Sequence, residues 1–360
     1  MVMDWKKYWT IPIICLNYTI GFFNKTIRMK LSRKDFLKTA AGAATAAAIP
    51  SSKILAAAHT VDAGEKAVSA FVQAPRFYGK PKRGVSIYSY TGEYGVTMTM
   101  EDCFIDMYDM NAEGIEILAN GHIPNYPHPT DEWVEWWYTT LNKYNIVPGE
   151  YGHWVDSRRQ PGRTLTTRES YDMLVRDLKL ASKLGFKVAR TKLGVIDEIL
   201  TPVENWKEFI TMALPVAEEL DVKMCPEIHQ PTALKSKMVD DYINFIEKTG
   251  TKYFGINIDF GVFSSRRMNI PGVKDEPSLP EEMIPLLPYT HACHAKFTNM
   301  SEDLIETEHP YDQIIQVLLD QKWEGYLLSE YEGQNREVPG YVSDQLRKQH
   351  VMMKRLLDEV

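Results

Sequence analysis

From residue 83 onward, short apolar runs alternate with longer stretches whose apolar positions recur every three or four residues. The first pattern reads as β-strand and the second as amphipathic helix. In chain order, strand 84–90 precedes helix 100–110, which starts behind the cap-like Thr99, and strand 114–118 precedes helix 131–144. Strand 146–151 and helix 167–184 follow, separated by an excursion at 152–166 that is longer than a tight βα loop. The remaining units pair 187–192 with 203–220, 222–227 with 234–249, 253–259 with 280–287, 291–297 with 310–321, and 325–330 with 342–357. Gly185 falls where a helix C-terminal glycine belongs. Tyr242, Phe245 and Ile246 share one helical face at i, i+3 and i+4.

Eight strand-then-helix units of this size predict an α/β protein with a single (β/α)8 TIM barrel over residues 83–360, in preference to an open doubly wound sheet. No Gly-x-Gly-x-x-Gly follows the first strand, so the usual sign of a dinucleotide fold is missing. Residues 59–82 are polar, contain Pro75 and Pro81 and show no sustained period. They read as a linker or an arm against the body.

Composition changes this picture mainly at the N-terminus. The chain is 44% hydrophobic and 25% charged, enough apolar material for a large core. Its formal charge of −7 is unevenly spread: residues 1–58 carry nine Lys and Arg against two Asp, leaving −14 for residues 59–360. An acidic body excludes the basic face that nucleic-acid binding requires. The basic segment 29–38, the weakly apolar run 39–50 and the small residues Ala56, Ala57 and Ala58 together read as an address. They resemble a twin-arginine export signal in which Lys34 stands for the second arginine, which implies export to the periplasm or cell surface. The alternative is an uncleaved tail on a cytoplasmic protein. Residues 1–28 form an upstream extension, and its apolar run 11–23 is short and broken by Asn17 and Thr19, so no membrane span is expected in the mature chain. Of the four cysteines, Cys15 lies in the N-terminal segment expected to be absent from the mature chain, and Cys103, Cys225 and Cys293 have no paired spacing and read as small buried residues.

Candidate chemistry lies at the strand ends. Glu227, Asp259, His294 and Glu330 end four successive strand-like runs at intervals of 32, 35 and 36 residues, about the length of one strand-plus-helix unit. In a barrel of this kind, all four reach one rim. Three carboxylates and one imidazole suit Mn²⁺, Mg²⁺ or Co²⁺, with Zn²⁺ also possible by ligand type. A metal so held leaves places for two adjacent substrate oxygens, as in a hydroxy-ketone, and would stabilise an enediolate. A lone acidic residue at a strand end is more often a cap or an ion-pair partner, but four in consecutive units are hard to explain that way. His294 is preferred over its neighbour His291, which only opens the strand. His229, two residues beyond Glu227, is expected on the same side and is the first candidate acid/base, with His153 a second. Lys192 and Lys296 are candidates to hold a substrate oxygen or to pair with ligand carboxylates. Tyr88, Tyr90, Trp154 and Phe260 are candidates to stack on a sugar or a flat ring, or to pack in the core. The Trp-rich helix at 133–137 reads as packing on the barrel.

Glu227-Ile-His, Asp259-Phe-Gly, His294-Ala-Lys and Glu330 resemble the strand-end motifs of the xylose-isomerase-like barrels, the sugar phosphate isomerase/epimerase superfamily, over about residues 83–358. That resemblance implies a divalent-metal site, most often manganese, and a proton-passing role for Glu227 and Glu330. The family's epimerases often place a His three residues after the aspartate, where this chain has Val262. The segments 84–103, 150–158 and 225–229 are similar to the large (alpha) subunit of bacterial C-glycoside deglycosidases. This narrower resemblance implies a carbon–carbon lyase acting on 3-oxo C-glycosides by C2 proton abstraction, a metal-stabilised enediolate and elimination of the aglycone. It also implies a hetero-oligomer with a small β-rich second subunit. The alternatives are a metal-dependent keto sugar isomerase or epimerase and an exported, non-catalytic sugar-binding protein.

Overall fold

The computed structural model describes residues 79–358 except 269, 272 and 274. The export-signal reading, Cys15 and most of the 59–82 arm therefore lie outside the described residues. The last residues of that arm are tied to the barrel: Gly79 N donates to Glu324 Oε1 at 2.7 Å and Lys80 Nζ to the Leu357 carbonyl at 2.9 Å.

All strand pairings are parallel. The strands are β1 (Lys82–Ser86), β2 (Gly114–Leu118), β3 (Val147–His153), β4 (Val188–Thr191), β5 (Lys223–Cys225), β6 (Glu227–Ile228), β7 (Ile256–Asp259), β8 (Thr290–Phe297) and β9 (Tyr326–Tyr331). Their order is β5-β4-β3-β2-β1-β9-β8-β7-β6. The eight expected strands thus become nine, because the run 222–227 is divided at Pro226. Proline has no N–H to give to a ladder. Before the break, Cys225 registers with Arg190 of β4; after it, Glu227 registers with Asn257 of β7. One short stretch of chain therefore supplies both ends of the sheet, and the parallel barrel closes on itself.

The helices are α1 (Met100–Asp109), the one-turn α2 (Ala119–His122), α3 (Asp131–Tyr144), α4 (Thr167–Lys183), α5 (Trp206–Leu220), α6 (Lys237–Thr249), α7 (Tyr311–Asp320) and α8 (Tyr341–Asp358). Capping boxes start α1 (Thr99 with Asp102) and α4 (Thr166 with Glu169), where each hydroxyl and carboxylate satisfies amide groups that the helix cannot. Gly185 follows α4 with φ +85°, the left-handed geometry expected of it. One expected helix differs in type: Pro280–Tyr289 is 3-10, since Pro285 and Pro288 cannot donate to an α-helical ladder. Between barrel and helices, Trp137 stacks with Phe186, and Trp206 packs with Tyr242, Phe245 and Phe254, as the helical stripes predict.

Inside the barrel, residues two apart on a strand share a face. Ala292, Tyr326 and Leu328, with Val147 and Val188 against them, make an apolar floor. A Cβ on Gly114 would lie 2.4 Å from the Tyr326 ring, so only glycine fits at that position. Above the floor the same strands carry charge: His294 and Lys296 continue from Ala292, and Glu330 from Leu328.

Candidate metal centre

Glu227, Asp259, His294 and Glu330 are drawn from β6, β7, β8 and β9, which are neighbours in the sheet. Each contributes one donor atom, and the four donors all lie within 4.8 Å of one another. Donors on opposite sides of one ion are about 4–5 Å apart for bonds of about 2.0–2.6 Å, so the spacing fits a single divalent cation. His294 Nδ1 is 2.9 Å from Glu227 Oε1, 3.7 Å from Asp259 Oδ2 and 3.5 Å from Glu330 Oε2. Asp259 Oδ2 and Glu330 Oε2 are buried and accept no hydrogen bond. Their nearest cation is Lys296 Nζ, at 3.1 and 3.4 Å. Buried carboxylate oxygens are ordinarily satisfied. These two oxygens, ion-paired to Lys296 and flanking an imidazole nitrogen, form a donor set of the kind a metal ion takes.

The ring of His294 is fixed from behind. Its Nε2 lies 3.1 Å from Glu150 Oε2 and 3.4 Å from Glu116 Oε2, both carboxylates being fully buried. Glu150 is itself held by Asn257 Nδ2 at 2.8 Å and by the Cys225 thiol at 3.3 Å. With a metal bound, Nε2–H would donate to Glu150 and the Nδ1 lone pair would face the ion, the tautomer a metal ligand needs. Arg190 bridges the two layers, with Nη2 2.9 Å from Glu116 Oε1 and Nη1 2.8 Å from Glu227 Oε2.

This packing sets the charges. Burial alone would raise the carboxyl of Glu116, but Arg190 and His294 outweigh it and hold it at about 2. Asp259 is likewise raised by burial and brought down to about 2 chiefly by Lys296. Glu227 falls well below the carboxylate range for the same reason, with Arg190 the main cause. Burial lowers His294 and Lys296, yet the surrounding carboxylates push both well above their ordinary values.

The cage opens onto a cavity in two lobes that share His229, Met268, Lys296 and Glu332. One lobe, about 280 Å³, has Glu227 and Glu330 at its base and Tyr88, Trp154 and Lys192 in its walls. The other, about 470 Å³, is lined by Ser264, Arg266, Arg267, Thr298 and His309. His229 sits just past β6 at the junction. Its Nδ1 faces the Gln230 carbonyl and its Nε2 is 2.9 Å from Lys296 Nζ. Lys192 Nζ lies 4.0 Å from the Trp154 ring centre, and burial lowers its ammonium to about 8.

The structure therefore gathers nine of the residues singled out in the sequence: the four cage residues, His229, Lys192, Lys296, Trp154 and Tyr88. Three others lie elsewhere. His153 is a correction. Along β3, Gly152 faces Arg190 and Glu116 inside the barrel, whereas Tyr151 and His153 turn outward to Asp177 of α4. Burial holds the His153 ring at about 4, and neither ring nitrogen has a hydrogen-bond partner among the described residues. Tyr90 and Phe260 are fully buried in the core, Tyr90 reaching Asp106 at 3.4 Å and Phe260 packing on Phe263 and Tyr311. Val262 is buried in the 3-10 turn that follows Asp259. His291 stays at the opposite end of β8, beside Gly255. Sequence reasoning missed Glu116, Glu150 and Arg190. Their signal was a charged residue in the middle of an otherwise apolar strand, which a buried parallel strand tolerates only with a partner. Cys103, Cys225 and Cys293 are buried and unpaired, as their spacing suggested. No described helix is long and apolar enough to cross a membrane.

No family model matches the chain. Among curated proteins, it is 23% identical over 340 residues to the C-glycoside deglycosidase alpha subunit of Arthrobacter globiformis, an alignment covering 77% of this chain and 92% of that protein. It is 22% identical over 348 residues to the 3'-dehydrocarminate deglycosidase alpha subunit of a Microbacterium species, covering 78% and 96%. Among solved structures it resembles the xylose isomerase domain protein of Planctomyces limnophilus, with a TM-score of 0.52 and 14% identity, covering 78% of this chain and 99% of that one. The chain is thus similar to deglycosidase alpha subunits in sequence and to a xylose-isomerase-like barrel in fold.

Proposed function

We propose that this chain is the catalytic subunit of a divalent-metal-dependent lyase that cleaves the carbon–carbon bond of 3-oxo C-glycosides. The observation that carries this reading is the carboxylate–imidazole cage opening, beside His229, onto a two-lobed cavity. Both curated relatives named above are deglycosidase alpha subunits, which supports the enzyme class and a second subunit.

Glu227, Asp259, His294 and Glu330 would hold the metal, with Mn²⁺ the favoured candidate for this donor set. When bound, such an ion supplies Lewis acidity toward two adjacent sugar oxygens. The chain's own residues do the rest. His229 donates Nδ1–H to the Gln230 carbonyl, so Nε2 is its accepting nitrogen. That nitrogen takes the proton from sugar C2. The electron pair of the C2–H bond becomes the C1=C2 double bond, the bond from C1 to the aromatic carbon breaks, and its pair leaves with the aglycone carbon, which takes up a proton. Lys296, beside Nε2, donates to the oxygen at C3 and keeps His229 oriented. The smaller lobe, over the cage, takes the sugar, and Trp154 and Tyr88 in its walls offer faces to it.

The test is to incubate the chain and its small subunit with a 3-oxo C-glucoside and, separately, with a free keto sugar, each with and without Mn²⁺. Metal-dependent release of free aglycone is expected. Epimer formation alone would overturn the lyase reading, and Val262 in place of a polar residue already weighs against a simple epimerase. Glu227→Gln should abolish both metal binding and turnover.

A further inference from the structure

The larger lobe contains a second histidine that the reaction above leaves unused. His309 ends the loop after β8 and is buried, as is its partner Glu306. Its Nδ1 lies 3.0 Å from Glu306 Oε2. That same oxygen accepts the backbone N–H of His309 at 2.7 Å and of Glu308 at 3.0 Å, while Oε1 faces the Thr298 hydroxyl at 3.4 Å. A carboxylate so supplied with donors is fixed in place. Nδ1–H therefore points at Glu306, and Nε2 is the free nitrogen. It has no hydrogen-bond partner among the described residues, and His309 lines the 470 Å³ lobe together with His229 and Lys296. The ring borders the cavity with a carboxylate behind one nitrogen, the arrangement by which a histidine is oriented to pass a proton from the other.

We propose that the Glu306–His309 dyad is a second acid/base device that protonates the departing aglycone carbon. The proposal rests on the lyase reading. That reaction removes one proton from C2 and adds one to the aromatic carbon, and the two carbons lie on opposite sides of C1. With the sugar over the cage, the aglycone extends past His229 into the larger lobe, where His309 stands. As the C1–aryl bond breaks, its electron pair takes the Nε2 proton of the His309 imidazolium. His229 leaves the step protonated and His309 neutral, and proton exchange with solvent restores both. Glu306 does not touch substrate; it positions the ring and offsets its charge.

The experiment compares wild type, His309→Gln and His309→Ala, each Mn²⁺-loaded and with the small subunit, on a 3-oxo C-glucoside in D₂O. Two rates are read: aglycone release, and incorporation of deuterium at C2 of unreacted substrate. His309→Gln is expected to lower release by roughly 10²-fold while deuterium incorporation continues, with metal content unchanged. Added imidazole should restore part of the release in His309→Ala, which a purely structural role would not allow. Release at the wild-type rate in His309→Gln, or an equal loss of both rates without imidazole rescue, overturns the dyad but leaves the lyase reading intact. A wild-type protein that incorporates deuterium and never releases aglycone overturns both.

Discussion

At the residue scale, the cage depends on groups that do not touch the ion's position. Glu150 sets the His294 ring by accepting from Nε2 at 3.1 Å. Glu150→Gln should weaken Mn²⁺ binding about 10–100-fold, measured by titration calorimetry, because an amide can present its N–H to Nε2 and invert the tautomer. An unchanged affinity would show that Glu150 only fills space. Gly261 is a second such position: its N–H donates to Asp259 Oδ1 at 2.6 Å, and a Cβ there would lie 2.6 Å from that same oxygen. Gly261→Ala should displace Asp259 and lower metal affinity while the far-ultraviolet spectrum stays native. His229→Ala, by contrast, should leave metal content near normal and cut turnover by roughly 10²-fold or more. Of these residues, His229 and the four ligands were legible from spacing. Glu150 and Arg190 were not, since a charge within an apolar strand does not say which distant strand supplies its partner.

At the scale of single elements, local rules account for most of what forms. The caps at Thr99 and Thr166, the left-handed Gly185 and the apolar stripe of α6 all follow from nearest neighbours in sequence. Thr166→Ala should cost about 1 kcal/mol in a denaturant titration, because it removes the acceptor for the Glu169 amide at 3.2 Å. Where the reading of elements failed at 222–227 and 280–287, a proline was responsible. Pro226 split one strand into β5 and β6, and Pro285 with Pro288 turned an expected α-helix into a 3-10 segment. The residue types were visible, but a proline shows only that a ladder is interrupted. Which strand pairs on each side of the interruption depends on where β4 and β7 lie. His153 failed for a different reason: the expected strand ended at 151 and left His153 in the loop, whereas β3 runs on to His153 and its alternation, with Gly152 inward, turns that ring outward.

At the scale of the whole molecule, stability should depend on pH through histidines that folding keeps neutral. Burial lowers His153 to about 4 and His350 to about 3, both fully enclosed, against an ordinary value of about 6.5. Below pH 6.5 the unfolded chain binds protons that the folded chain does not. The stability these groups contribute is thus complete above about pH 6.5 and declines as pH falls toward their folded values. Over the whole interval down to the folded values the loss is on the order of 3 kcal/mol for His153 and 5 kcal/mol for His350. The carboxylates held near 2, Glu116 and Asp259, add to this loss only at lower pH, below about 4.5. The melting temperature should therefore fall between pH 6.5 and 4.5, and His153→Leu should flatten that slope; an identical slope in the variant would exclude the buried ring as a cause.

The sequence by itself determined the alternation of strands and helices, the helix caps, the rim on which four ligand-type side chains would stand, and the burial of three cysteines. These depend on periodicity and on short-range hydrogen bonding, which act within a few residues. Only the tertiary structure decided how Pro226 closes the barrel, which face of β3 looks inward, that Tyr90 and Phe260 belong to the core, and that Glu150, Arg190, Glu306 and His309 are brought to the site. Those outcomes depend on the register and packing of segments tens to hundreds of residues apart, and no local pattern in a single chain encodes that pairing.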